Sequence, residues 1–180
     1  YIHLPAQSGS SRILEMMNRG YTREEYLQKI AMIKKTIPNV VLSTDIIVGF
    51  PSETDAEFME TISMMKEVEF ETIFAFKYSP RPFTKAARFE NQVEEKVKEE
   101  RLAMLFQEFD NMAKPLVQRY EGQILKVLVE GQDQNRGNLH GRSTQNKNVF
   151  FLGDESLIGK TVSVRITKAF PATMRGELVQ

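Results

Sequence analysis

Three short stretches concentrate residue types that bind polar ligands: Pro5-Ala6-Gln7-Ser8-Gly9-Ser10-Ser11, Gly49-Phe50-Pro51-Ser52-Glu53-Thr54 and Tyr78-Ser79-Pro80-Arg81-Pro82-Phe83-Thr84. Gln7 and Ser8 both donate and accept hydrogen bonds, Glu53 accepts them from ribose hydroxyls or an amino group, and Gly49 lets backbone approach a ligand. Arg81, between two prolines, presents a guanidinium suited to phosphate or carboxylate. Structural alternatives stand beside these readings. Ser52 and Glu53 can serve only to cap the next helix, and Arg81 can pair with a carboxylate of a neighbouring loop. His3, alone in an apolar strand, is read first as a hydrogen-bonded core residue and only then as a base or ligand.

Each stretch follows an apolar run and precedes a helical pattern. Tyr1–Leu4 predicts a short strand, and Thr72–Phe76 another. Between them Val40–Val48 is β-branched with little alternation, as expected of a strand buried on both faces of a parallel sheet. Thr22 with Glu25 and Thr54 with Glu57 are capping boxes, in which hydroxyl and carboxylate each satisfy an orphan amide. Behind them, Tyr26, Ile30, Ile33 and Ile37, and then Phe58, Ile62, Met65 and Val68, recur at helical spacing. Strand, helix, strand, helix, strand implies parallel pairing through right-handed crossovers, with ligands at the carboxyl ends of the strands. A long helix from about Val93 to Met112 presents Leu102, Leu105, Phe106, Phe109 and Met112 on one face, while its Glu and Lys residues at 94–100 read as a solvated face.

Composition narrows the chemistry. The 180 residues include no cysteine, so this chain cannot build disulfides, thiolate zinc sites or thiol-held iron–sulfur clusters. No apolar run is long enough to cross a membrane, and no basic-then-apolar leader opens the chain, so it is expected to be cytoplasmic. The net charge of zero hides an asymmetry: from Arg119 onward nine cations face six carboxylates, net +3, leaving −3 on the preceding part. The tail is therefore the better candidate for meeting phosphate. After Pro115 the texture changes to short segments between Gly and Asn. Leu125, Val127 and Val129 alternate, as do Val162, Val164 and Ile166, with Asn148–Phe151 between them, which suggests five strands in a small closed barrel of OB-like type. The boundary is expected near Leu116–Gly122. Gly141–Lys147 is a polar hairpin with two cations that either contacts phosphates without reading bases or is simply a solvated turn.

Together these stretches resemble one family, the radical-SAM methylthiotransferases. The likeness is carried by His3-Leu4-Pro5-Ala6-Gln7-Ser8-Gly9-Ser10, Met17-Asn18-Arg19-Gly20-Tyr21-Thr22, Thr44-Asp45-Ile46-Ile47-Val48-Gly49-Phe50-Pro51 with Glu53-Thr54, and Tyr78-Ser79-Pro80-Arg81-Pro82 with Thr84, continuing through Glu99-Glu100-Arg101-Leu102. The tail resembles the TRAM domain that closes these enzymes, through Gly141-Arg142, Asn146-Lys147, Leu157-Ile158-Gly159 and Arg175-Gly176-Glu177-Leu178. Two positions depart from the family pattern, Ser52 and Phe83, where glycine is usual.

The resemblance implies an α/β fold: the carboxy-terminal part of a radical-SAM partial TIM-type barrel over residues 1–115, then an all-β, OB-like, RNA-binding TRAM barrel over 116–180. It implies S-adenosylmethionine contacts at Gln7, Ser8, Asp45, Ile47, Gly49, Glu53 and Tyr78, and RNA contacts at Arg81, Arg142, Asn146, Lys147, Lys168 and Arg175. No residue is assigned a catalytic role. The family cleaves S-adenosylmethionine reductively at a 4Fe-4S cluster and inserts a methylthio group into an adenosine beside the anticodon. Its clusters are held by cysteines absent here, so the chain alone is expected to be an inactive carboxy-terminal fragment, a monomer, whose full-length form meets the tRNA anticodon stem-loop, a sulfur donor and an electron donor. Arg81-Pro82 with Lys85-Ala86-Ala87 favours the tRNA-modifying branch over the one acting on a ribosomal protein. A non-catalytic RNA-binding module and a plain α/β fragment whose loops only cap helices remain the other readings.

Overall fold

Local signals in the first half of the chain produce short helices around parallel strands. The computed structural model describes residues 1–133 and 138–179. Strands β1 (Ile2–His3), β2 (Leu42–Val48) and β3 (Thr72–Lys77) pair in that order, all parallel, with Ile2 opposite Leu42 and Ser43 opposite Thr72. Gln7 extends the β1 side by a single parallel bridge to Ile46. Helices α1 (Ser11–Met16), α2 (Arg23–Thr36) and α3 (Asp55–Val68) fill the connections. Both expected capping boxes form: each threonine hydroxyl accepts from the backbone of the glutamate three residues on, whose carboxylate accepts from the threonine N–H. The α3 stripe Phe58, Ile62, Met65 and Val68 is buried throughout, whereas on α2 Tyr26 and Ile30 are buried and Ile37, already past the last turn, is exposed.

Strand β2 differs from expectation. Val41 and Ser43 are buried along with Leu42, Thr44, Ile46 and Val48, but toward the carboxyl end Asp45 and Ile47 are only partly covered, and Phe74 and Phe76 on β3 are 47% and 57% exposed. The sheet is covered less completely on the face of Asp45, Ile47, Phe74 and Phe76, as expected where crossovers of one hand in the order β1–β2–β3 carry both connecting helices to the same side. His3 lies toward the other face. Rather than a core residue it is a third exposed at the side chain, with Nδ1 2.8 Å from Ser43 Oγ, Nε2 3.4 Å from Asp45 Oδ1 and its ring edge against Phe74.

The long helix α4 spans Glu95–Gln118 and passes through Pro115, which gives up one backbone N–H without ending it. Over its first turns the buried stripe is Lys98, Arg101, Leu105 and Phe109, while Phe106 is exposed. The described residues divide into two compact units, Ile2–Met112 and Ala113–Gln180, the latter grouped with Tyr1.

The second unit is a closed five-stranded barrel in the order β4-β5-β6-β8-β7, with β4 (Ile124–Gln132), β5 (Leu139–Ser143), β6 (Asn148–Phe151), β7 (Thr161–Ala169) and β8 (Thr173–Leu178). Every pairing is antiparallel except β6 with β8. The alternating residues Leu125, Val127, Val129, Val164 and Ile166 point inward and meet Leu139, Val149, Phe151 and Met174 in one core. Asn146, at φ 60°, turns the hairpin between β5 and β6, its N–H donating to Ser143 O at 2.9 Å; asparagine tolerates that left-handed geometry. Among the described residues no helix is long and apolar enough to cross a membrane.

Candidate ligand site at the strand ends

The loop after β1 is stitched to its surroundings. The Tyr26 and Tyr21 hydroxyls donate to the carbonyls of Leu4 (2.8 Å) and Pro5 (3.1 Å). Gly9 N–H donates to Thr61 Oγ1 at 2.8 Å, and a Cβ at Gly9 would fall 2.5 Å from Thr61 Cα, so the loop lies on α3 as closely as backbone allows. Ser8 is fully buried and its hydroxyl meets Ser10 N–H and Thr61 Oγ1. Gln7 holds φ 69°, a left-handed backbone fixed by its N–H donating to Asp45 O and its carbonyl accepting from Ile47 N–H.

The loop after β2 is held from within and from α4. Gly49, at φ +71°, donates its N–H to Glu53 Oε2 at 2.7 Å. Arg101 Nη1 donates to the same oxygen at 2.8 Å and to Glu53 O at 3.1 Å, and Nη2 donates to Asp55 Oδ1 at 2.7 Å. The Glu53 side chain is 1% exposed. Burial raises its pKa above the ordinary carboxylate value, opposed by the Gly49 N–H and the Arg101 charge. Glu53 Oε1 has no hydrogen bond among the described residues, so one oxygen remains available. Helix capping falls to Thr54 and Glu57 instead. Arg12 Nε, 2.6 Å from Glu57 Oε1, together with two Thr54 bonds, draws the Glu57 pKa down to about 2.

Lys98, one turn before Arg101, runs its stem over Gly49, where a Cβ would lie 2.4 Å from Lys98 Cγ. Its ammonium donates to Tyr78 O at 3.3 Å and stands 5.8 Å from the Tyr78 ring. Two α4 cations thus hold the second and third loops, so the expectation of a solvated 94–100 face fails at Lys98, which is 6% exposed. The available signal was spacing: Lys98 and Arg101 continue the stripe of Leu105 and Phe109. Ser52 (φ 67°) and Phe83 (φ 69°), where the resembling family has glycine, both occupy left-handed backbone.

A well of about 540 Å³ is lined by Met16 at the end of α1, Met17, Asn18 and Arg19 beyond it, Ile47 and Phe50 from the β2 end, and Tyr78, Arg81, Lys85 and Phe89 after β3. Phe50 packs edge-on against Tyr78 at 5.1 Å and Phe89 at 6.3 Å. Tyr78 Oη is buried without a hydrogen-bond partner among the described residues, a cost that a polar ligand atom would remove. Of the residues singled out from sequence, Ile47, Tyr78 and Arg81 line the well. Gln7, Ser8, Asp45, Gly49 and Glu53 are not among the residues that line it, although Gly49 and Glu53 belong to the loop that carries Phe50, and Asp45 lies beside His3. Met17, Arg19, Phe50, Lys85 and Phe89 were missed because they lie in irregular segments where no period marks a shared wall, and Met16 because it ends a helix of only six residues.

In the barrel, Arg142 lies 3.3 Å from Glu130 and donates to Asn146 Oδ1 at 3.1 Å, and Lys168 pairs with Glu121 at 3.3 Å. Lys147 is 2% exposed and donates to Pro171 O. Arg175 is exposed beside Phe150 in register, its side chain without a partner among the described residues.

Residues 1–65 match the family model of the Radical SAM superfamily, and residues 118–179 match that of the TRAM domain. The chain is 63% identical over 179 residues to the tRNA-2-methylthio-N(6)-dimethylallyladenosine synthase of Bdellovibrio bacteriovorus, an alignment covering 99% of this chain and 40% of that protein. Proteins of the same name from Aquifex aeolicus and Geobacillus kaustophilus are 45% and 52% identical, covering 99% of this chain and 40% and 34% of their own lengths. The chain spans two fifths or less of these relatives.

Proposed function

We propose, for a chain whose residues 1–65 match the family model of the Radical SAM superfamily and whose residues 118–179 match that of the TRAM domain, that it is the carboxy-terminal part of a cytoplasmic, monomeric tRNA methylthiotransferase. The full protein adds a methylthio group to C2 of isopentenyladenosine beside the anticodon. The observation that carries this reading is that strand-end loops around an apolar well and an RNA-type barrel occur in one chain, in an order shared over 99% of its length with synthases of that name. The three parallel strands, covered on one face and open at Phe74 and Phe76 on the other, support their being the last strands of a partial TIM-type barrel, whose interior face other strands would enclose.

S-adenosylmethionine fits the residues present. Tyr78 Oη lacks a partner, Glu53 Oε1 is unbonded, and Asp45, Ile47, Gly49 and Gln7 stand at strand ends where such ligands bind. Tyr78 offers a hydrogen bond, Glu53 an acceptor, and Ile47 with Phe50 an apolar wall that excludes water. Ser8 fixes the first loop. When bound with a reduced cluster, the cofactor supplies the radical chemistry. An iron–sulfur cluster does not fit: the chain has no cysteine, and no group of His, Asp or Glu among the described residues could hold a metal. Cluster ligands and the meeting with sulfur and electron donors belong to other parts of the full protein, and the chain alone is inactive. Arg81 on the first unit and Arg142, Asn146, Lys147, Lys168 and Arg175 on the barrel are the proposed contacts to the anticodon stem-loop, with Lys147 acting through its position under the 171 turn.

Reconstituting the full-length protein with iron and sulfide and supplying tRNA that carries isopentenyladenosine tests the reading by mass spectrometry of the nucleosides. Methylthio product on the tRNA is expected. Product on a ribosomal protein and none on tRNA would select the other branch of the family.

A further inference from the structure

Among the described residues Phe83 is the most exposed large apolar side chain, at 98% against 74% for Leu152, the next. One exposed apolar residue needs no explanation by itself, but Phe83 carries a second cost, a backbone at φ 69°. The other residues described at positive φ are Gln, Asn, Ser, Glu and Gly, and a bulky aromatic among them is the exception. A tight turn sets this geometry: Arg81 O accepts from Thr84 N–H at 3.2 Å and from Thr84 Oγ1 at 2.8 Å, with Pro82 and Phe83 at the apex. Proline at the first central position and positive φ at the second make the place of Phe83 one that glycine fills at least cost. Ser52, also at positive φ, is held there by its N–H donating to Asn91 O and its carbonyl accepting from Arg12 Nη2, both at 2.7 Å. Phe83 has no hydrogen bond or ring contact of that kind among the described residues. Arg81, Thr84 and Lys85 line the strand-end well but Phe83 does not, so a ligand inside the well leaves the ring uncovered.

The surroundings of the ring say what would cover it. From Tyr78 to Phe89 the chain carries Arg81, Lys85 and Arg88 and no Asp or Glu. All three cations are exposed, with no carboxylate partner among the described residues. An apolar protein surface would meet this charge at a desolvation cost, whereas a strand that alternates flat bases with phosphates matches both the ring and the cations. We infer that Phe83 is a stacking platform for an unpaired base of RNA lying outside the well, with Lys85 and Arg88 on the neighbouring phosphates. The assignment rests on the proposed function and deepens it, placing one RNA contact on a residue where the resembling family has glycine. Phenylalanine then trades stability of the turn for binding, since its backbone strain is stored where the ligand meets it. Stacking of this kind accepts any base, and the cations position the strand without reading it.

The test measures binding of the full-length protein to a labelled RNA hairpin with a single-stranded loop, by fluorescence anisotropy across about 50–300 mM salt. Phe83→Gly keeps the turn and is expected to melt higher than wild type while binding about tenfold more weakly at every salt, the size of one base–aromatic stack. Phe83→Tyr should retain affinity, and Phe83→Leu should lose it as glycine does, because leucine is apolar without a π-face. Lys85→Gln/Arg88→Gln should instead lower the slope of log affinity against log salt by about 1.5, at roughly 0.7–0.9 per phosphate contact. Met32→Ala, which removes another exposed apolar side chain of this unit, should change neither affinity nor slope. With a fluorescent purine analogue at each loop position in turn, one position should be quenched by wild type and by Phe83→Tyr but not by Phe83→Gly. Full RNA affinity in Phe83→Leu overturns stacking, and full affinity in Phe83→Gly overturns the RNA contact and leaves an apolar protein surface as the occupant. Either result leaves wild-type binding to RNA intact, whereas a wild-type protein that binds no RNA fails the proposed function itself.

Discussion

Replacing Arg101 with Met removes the partner of a buried carboxylate while keeping the aliphatic length that packs over the Phe58 ring, 5.7 Å from the guanidinium. Glu53 would lose its 2.8 Å bond and keep only the Gly49 N–H on that oxygen. Breaking a buried pair from one side costs about 3–5 kcal/mol. The Asp55 arm adds little, because that carboxylate is 93% exposed. Part of the loss returns when Glu53 takes up a proton, at about 1.4 kcal/mol per unit of pKa shift. A carboxyl whose folded pKa lies above its unfolded value binds its proton more tightly when folded, so stability increases as pH falls, and losing Arg101 strengthens that trend. Urea unfolding at 222 nm, where α2, α3 and α4 supply the helical signal, should therefore show Arg101→Met less stable by about 3 kcal/mol at neutral pH and less penalised near about pH 5. Adding Glu53→Gln should recover at least about 1 kcal/mol. A loss below about 1 kcal/mol, or one independent of pH, would refute the view that this guanidinium neutralises a buried charge.

The remaining predictions concern backbone and charge. Ser52→Gly and Phe83→Gly should each raise thermal stability by about 0.5–1 kcal/mol, since both sit at positive φ, Phe83 is 98% exposed, and the gain is reduced by the freer unfolded glycine. Gly49→Ala should cost at least about 2 kcal/mol in the same melts, combining positive φ with a Cβ overlapping the Lys98 stem, and Lys98→Ala should relieve only the overlap. Glu57, with its folded pKa drawn down to about 2, contributes stability that is present above its unfolded value and lost as pH falls toward 2. Arg12→Met should accordingly flatten the acid limb of a stability–pH curve; a limb of unchanged steepness would assign it to other carboxylates.

Much of the scaffold was written locally. The Thr22/Glu25 and Thr54/Glu57 boxes, the α3 stripe and the inward alternation of Leu125, Val127 and Val129 each depend on residues within a few positions of one another. The same held for the glycine departures, since Ser52 and Phe83 do lie at positive φ. The absence of cysteine by itself excludes thiolate chemistry in this chain. Three-dimensional packing decided the rest. The composition of β2 could not tell one covered face from two, because that depends on the hand of two crossovers. Lys98 reads as part of a solvated face in the sequence, and nothing there points from Arg101 to Glu53, 48 residues away, which only the packing of α4 brings together. The well likewise collects Met17, Phe50 and Phe89 from three irregular segments. Hydrogen-bond caps and side-chain periods are properties of neighbouring residues, so sequence alone determines them. The burial of a charge, and which cations are left without a partner, depend on groups brought together only by the folded chain.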